Sequence, residues 1–156
     1  MKRPFVKTDP ARWQCTFQTN VFGTFLCCQA AFAHMAISEG GMGGSIVNVS
    51  SLAAVSGSPN EYVDYAASKG AIDTFSKGFA KEVADDRIRV NVVRPGFIYT
   101  DMHKDGGEVD RVNRLAPSIP MKRRGQPEEV AEAILWLLSN KASYTSGTFI
   151  DVAGGR

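Results

Sequence analysis

Along the first forty residues, apolar side chains recur at steps of three and four: Trp13, Phe17, Val21, Phe25, Cys28, Phe32 and Met35. That period places an apolar stripe on one face of a long helix, predicted to run to about Ser38. Thr8-Asp9-Pro10 supplies its start, with a capping side chain and a proline that the first turn tolerates. Gly40-Gly41-Met42-Gly43-Gly44 breaks the pattern, and Ser45-Ile46-Val47-Asn48-Val49-Ser50 follows as a short β-branched run suited to a buried strand. After a loop through Gly57, Ser58 and Pro59, the helical period returns from roughly Tyr62 to Ala84, with Ile72, Phe75, Phe79 and Val83 as its inner stripe. Ile88 to Val93 reads as a second strand, ended by Arg94-Pro95-Gly96. Residues from about Thr100 to Arg124 hold Gly106, Gly107, Pro117 and Pro120 amid mixed charge, which predicts a mobile loop or lid with a short helix inside. Pro127-Glu128-Glu129 opens a last helix, proline first and acids at the positive end of its dipole, burying Val130, Ile134, Leu137 and Leu138. Thr148 to Val152 is the final strand.

Strands separated by helices imply a parallel sheet with right-handed crossovers, so the fold class is α/β. A chain of 156 residues with 44% hydrophobic content can bury one core, which predicts a single domain over residues 1–156. Charged residues at 22% and aromatics at 10% exclude disorder. The net charge of +2 leaves no electrostatic footprint for nucleic acid or a membrane surface, and Lys122-Arg123-Arg124 reads as a solvated loop. No run approaches the ~18 apolar residues of a membrane span. Met1-Lys2-Arg3-Pro4 lacks the apolar stretch of a secretory signal, so a soluble, cytoplasmic protein is expected. Cys15, Cys27 and Cys28 are odd in number and form no C-x-x-C, which argues against a zinc site or a disulfide framework. No metal is expected.

Gly40 to Gly44 has the composition of a phosphate-cradling loop but the wrong context. Such a loop must run strand, glycine turn, helix, so that N–H groups at the helix start face the pyrophosphate. Here the order is helix, turn, strand, and no other segment supplies the fingerprint. Tyr65 and Lys69, four apart, project from one helix face. Ala66, Ala67, Gly70 and Ala71 surround them with small residues, leaving room for something flat. Ser50-Ser51 ends a buried strand, where open α/β sheets place their ligands. Asn20 sits inside the apolar helix, where its low propensity wants a reason. His103 and Met102 open the predicted lid, a place for substrate contact or plain solvation. His34 complements the end of the first helix, and Trp13 and Trp136 read as core or subunit-contact aromatics.

Ser51, thirteen residues, then Tyr65-Ala66-Ala67-Ser68-Lys69 resembles the serine and Y-x-x-x-K signature of classical short-chain dehydrogenases/reductases. Asn20-Val21-Phe22-Gly23 resembles that family's N-x-x-G segment with its catalytic asparagine. Arg94-Pro95-Gly96-Phe97-Ile98-Tyr99-Thr100 resembles the strand end that grips the nicotinamide, and Ser146 through Gly155 the final strand and tail. The match covers nearly the whole chain in the family's order. The interval from Ser51 to Tyr65 is one residue longer than the commonest spacing, in a loop around Gly57–Pro59 where an insertion costs little. Ser51 is therefore preferred over Ser50, which is expected to bond within the strand-end turn. The family's opening strands and glycine-rich turn have no counterpart. Met1-Lys2-Arg3-Pro4-Phe5 resembles the stretch after its fourth strand, so the chain is expected to be the C-terminal, catalytic part of a doubly wound, Rossmann-like sheet.

The resemblance implies hydride transfer between NAD or NADP and a secondary alcohol or ketone, of sugar, steroid or 3-oxoacyl type. It implies Tyr65 as acid/base, Lys69 lowering the tyrosine pKa and bonding the nicotinamide ribose, and Ser51 donating to the substrate oxygen. Asn20 would hold a relay water, Pro95 and Gly96 would shape the ring pocket, and Ile98 and Thr100 would reach the carboxamide or a nearby phosphate. A homodimer or homotetramer is implied as well. The competing expectation is an inactive fragment or an interaction module that oligomerises through its exposed helices.

Overall fold

The computed structural model describes residues 3–100 and 114–156, so most of the predicted lid, with Met102 and His103, lies outside the described residues. Helix α1 spans Pro10–Phe17, capped by Asp9, whose side chain accepts from the Arg12 N–H at 3.0 Å. The helix does not continue regularly. Gln18–Phe22 winds as one π-helical turn, closed by Gly23 N–H donating to the Gln18 carbonyl, before α2 runs over Gly23–Met35. The wider turn takes up one extra residue, so the stripe beyond it changes phase. Val21 and Cys28 are buried, whereas Phe25 is 36% exposed. Helix α2 also stops three residues before Ser38, because Ala36 is extended and Ile37–Glu39 forms a separate 3-10 turn. Gly41 after it is required by contact: a Cβ there would lie 2.4 Å from the Met35 carbonyl.

Strand β1 is Gly44–Val49, α3 is Ala53–Ser56, and α4 is Val63–Glu82. Strand β2 is Ile88–Pro95, α5 is Pro127–Leu138, and β3 is Phe149–Val152. The three strands pair in parallel in the order β1-β2-β3, with Val49 opposite Val93 and Arg94 opposite Asp151. This is the predicted α/β architecture. Central β2 is covered on both faces, which fits its β-branched content: Ile88, Val90, Val92 and Val93 are all at most 1% exposed, with Arg89 and Asn91 between them. Ala80 of α4 and Val83 just past its end join Ile88 and Val90 in one cluster, with Phe32, Met35, Ile46 and Phe79 packed against it. Helix α5 begins with the capping box of Gln126 and Glu129 and buries Leu137 completely. Leu138, predicted to be buried, is 44% exposed, since it lies one position round the helix from the Val130–Ile134–Leu137 stripe. Arg89 of β2 donates to the carbonyls of Leu137 at 2.8 Å and Ser139 at 3.2 Å, satisfying groups that the end of α5 leaves unpaired.

One ion pair ties α1 to the start of α4. Asp64, 5% exposed, receives Arg12 through Nε and, at 2.9 Å, through Nη2. Burial alone would raise the Asp64 carboxyl, but Arg12 and the Tyr65 N–H overcome it and hold it below the ordinary range. A depressed folded-state pKa stabilises above the unfolded value of about 4, and the contribution disappears as pH falls through the folded value. Arg12→Met therefore costs on the order of 3 kcal/mol at neutral pH, because it strands a buried carboxylate. Urea unfolding at about pH 7 and about pH 3 checks this, with the gap from wild type narrowing in acid.

Candidate active site

The sequence-predicted residues meet at the C-terminal edge of the sheet, where β1 and β2 end. Two serines leave β1. Ser50 is buried and donates to the Lys69 carbonyl at 3.1 Å, so it holds α4 against the strand instead of bonding within its own turn as expected. Ser51 receives the Ala53 N–H at 3.1 Å. The next residue is tied to the neighbouring strand, Leu52 N–H donating to the Pro95 carbonyl at 3.0 Å. Ser51, Tyr65 and Pro95 thus share one rim.

Tyr65 and Lys69 occupy successive turns of α4, with the Lys69 ammonium 5.7 Å from the Tyr65 ring centre. The ammonium donates to the Val49 carbonyl at 2.9 Å, an acceptor freed where β1 ends. Asn20 arrives through the π-helical turn. Its Nδ2 donates to Ser68 Oγ at 3.0 Å, and Ser68 donates to the Tyr65 carbonyl at 2.7 Å. The distortion has its own compensation, because Thr24 Oγ1 donates to the Asn20 carbonyl at 2.6 Å. Ser68, fully buried, is a site residue that the sequence reading passes over. Its position between Tyr65 and Lys69, on the inward side of α4, was the available signal.

Electrostatically, burial raises the Tyr65 phenol, and the Ser51 hydrogen bond opposes this only in part. The Lys69 ammonium is engaged with the Val49 carbonyl at the end of β1. Burial lowers Lys69 itself, against the opposing pull of Asp73.

The remaining residues separate into two groups. Gly96 stays with the sheet, donating to the Val152 carbonyl at 3.0 Å. Ile98, 8% exposed, instead pairs with Gly125 and lines a cavity of about 320 Å³ with Phe97, Ile119 and Met121. None of Ser51, Tyr65 or Lys69 lines that cavity. Thr100 is exposed at the edge of the described residues.

The donor set suits the nicotinamide end of a dinucleotide. A phenol, a hydroxyl and an ammonium converge at a strand terminus, and a Cβ on Gly70 would meet nothing within 4 Å, leaving that side of α4 clear. The pyrophosphate end finds no such partner. Among the described residues, no strand passes through a glycine turn into a helix N-terminus. Groups of three or more potential metal ligands are likewise absent among the described residues, and no helix there is long and apolar enough to cross a membrane.

Comparison with known proteins gives this arrangement its context. A family model described as enoyl-(acyl carrier protein) reductase matches residues 1–156. The uncharacterized oxidoreductase YgfF of Escherichia coli K12 is 65% identical over 138 residues, covering 88% of this chain and 56% of that protein. Human 3-oxoacyl-(acyl-carrier-protein) reductase is 42% identical over 150 residues, covering 96% of this chain and 59% of that one. The crystal structure of acetoin dehydrogenase from Enterobacter cloacae superposes with a TM-score of 0.85 at 37% identity, covering 99% of this chain and 59% of that one. The chain thus spans a little over half the length of these relatives. It belongs to the short-chain dehydrogenase/reductase family.

Proposed function

We propose that this chain is the catalytic portion of an NAD(P)-dependent oxidoreductase that interconverts a secondary alcohol and a ketone. The observation that carries this reading is the placing of Tyr65 and Lys69 on successive turns of α4, the ammonium 5.7 Å from the phenol ring and bonded to the last carbonyl of β1, next to Ser51. A bound nicotinamide supplies or accepts the hydride. The chain's own residues handle the oxygen. Ser51 donates a hydrogen bond to the substrate oxygen and stabilises the charge that develops there. Tyr65 gives its phenolic proton to that oxygen in reduction and takes it back in oxidation. Lys69 replenishes the proton, bonds the ribose and favours the phenolate as it forms, while Asn20 holds a water that connects Lys69 to solvent. Pro95 and Gly96 bound the ring, with the Ile98 backbone and Thr100 serving the carboxamide or a phosphate.

The related 3-oxoacyl reductases and acetoin dehydrogenase make 3-oxoacyl thioesters and small hydroxyketones the first substrates to try. Nicotinamide absorbance, followed with either cofactor in a full-length protein carrying this chain, tests the reading. Absence of turnover across both substrate classes and both cofactors would overturn it.

The same reading includes a soluble, cytoplasmic homodimer or homotetramer. The support is an aromatic row, Phe22 and Phe25 of the first helical segment meeting Phe75 and Phe79 of α4, with Phe22 50% and Leu26 63% exposed. A two-fold axis through this face would cover surplus apolar surface. Phe22→Asp with Leu26→Asp is expected to shift sedimentation at micromolar concentration from oligomer to monomer. A wild type that already sediments as a monomer contradicts the assembly.

A further inference from the structure

The helix face below Lys69 carries charge where its apolar stripe should continue. Asp73 is 8% exposed, next to buried Ile72. Its Oδ2 receives Arg94 Nε from β2 at 2.8 Å, whereas its Oδ1, also buried, has no hydrogen-bond partner. Arg94 lies 4.2 Å over the Phe149 ring and 3.6 Å from Asp151, both on β3, so its planar group is held on three sides. The order Asp151, Arg94, Asp73, Lys69 alternates in sign across β3, β2 and α4. It begins at a half-exposed carboxylate and ends at the lysine of the site.

A link that only fastened α4 to β2 would need one carboxylate and one guanidinium, and burying them is costly against an apolar pair of the same volume. Placing the carboxylate one turn from Lys69 gives it a second charge to serve, since residues four apart on a helix are neighbours. Lys69 Nζ has three protons, and Val49 takes one. We propose that Asp73, clamped by Arg94, is a positioning residue that acts as the counter-ion of Lys69 and keeps it an ammonium in a partly desolvated site. This rests on the reading of Lys69 as the partner of Tyr65. Tyr65 and Asp73 flank Lys69 one turn away on either side along α4, Arg94 of β2 reaches Asp73, and Asp151 of β3 lies beyond Arg94, so the charge of Asp73 acts on Lys69 across a gap wider than a direct hydrogen bond.

The test is a direct titration of Lys69 in the 156-residue chain, by carbon-13 NMR with lysine labelled at Cε and the signal assigned by its loss in Lys69→Arg. Asp73→Asn removes the negative charge and leaves Arg94, so the Lys69 midpoint falls by about one pH unit. Arg94→Gln removes the competing positive charge, so the midpoint rises. An unmoved midpoint in Asp73→Asn, or shifts of the same sign in both variants, overturns the proposal. If Asp73→Asn fails to fold, Arg94→Gln decides alone: a rise supports the counter-ion role, and no change or a fall overturns it. The titration needs neither cofactor nor turnover. An active Tyr65→Phe protein would therefore remove the functional reading without touching this one, and a static Lys69 midpoint beside an inactive Tyr65→Phe would do the reverse.

Discussion

Tyr65→Phe, in a full-length protein carrying this chain, lowers kcat by on the order of 10²–10⁴ while cofactor binding and the fold persist. The ring of Phe keeps the contacts that the tyrosine ring makes on α4. Only the phenolic oxygen is lost, and in the proposed mechanism no other group hands a proton directly to the substrate oxygen. Steady-state kinetics with circular dichroism as the control for folding checks this. Near-wild-type turnover with cofactor bound would remove the acid/base role from Tyr65 and leave the proposed mechanism without its proton donor.

The 156-residue chain by itself is expected to bind neither NADH nor NADPH with micromolar affinity, and to show no turnover. Affinity for a dinucleotide comes largely from N–H groups at a glycine turn and a helix N-terminus that face the pyrophosphate. The described residues offer the opposite order around Gly40–Gly44, with the C-terminal end of α2 leading into β1. In the reading proposed above, Tyr65, Lys69 and the Pro95–Thr100 segment serve chiefly the nicotinamide end. Strand β1 also pairs on one side only among the described residues, and Val49 on it is 46% exposed. An open edge of this kind favours association over a clean monomeric binding site. Calorimetric titration with each cofactor decides the matter. Micromolar binding from a cooperatively folding sample would mean that the nicotinamide end supplies more affinity than assigned to it here.

Elements whose period reflects burial were legible in the sequence. Ile72 and Val83 mark the buried face of α4, and the β-branched run from Ile88 to Val93 marks the central strand, because burial selects those residues directly. Two features were not legible. The π-helical turn leaves the apolar spacing formally intact. Steps of three and four run through it as they would through regular helix, and only the exposure of Phe25 marks the change of phase. The Asp73–Arg94 contact depends on how α4 lies across β2, and neither residue's local sequence encodes that crossing. Within the candidate site, the placing of Tyr65 and Lys69 on one face of α4 near the strand ends was readable from their spacing, whereas the bond from Lys69 to the Val49 carbonyl depends on how α4 lies against β1.

The turn at Gln18–Phe22 makes the number of residues there as consequential as their identity. Loss of any one of the five would let the segment relax into regular helix, a locally favourable change. It would also rotate α1 by about 100° and draw it in by about 1.5 Å relative to α2. Arg12 would swing away from Asp64 at one end while Asn20 shifted against Ser68 at the other, so both supports flanking Tyr65 would fail together. Point substitutions in this stretch act on one contact at a time. A one-residue gap acts on the whole entrance to α4, so descendants of this sequence can vary its letters far more freely than its count.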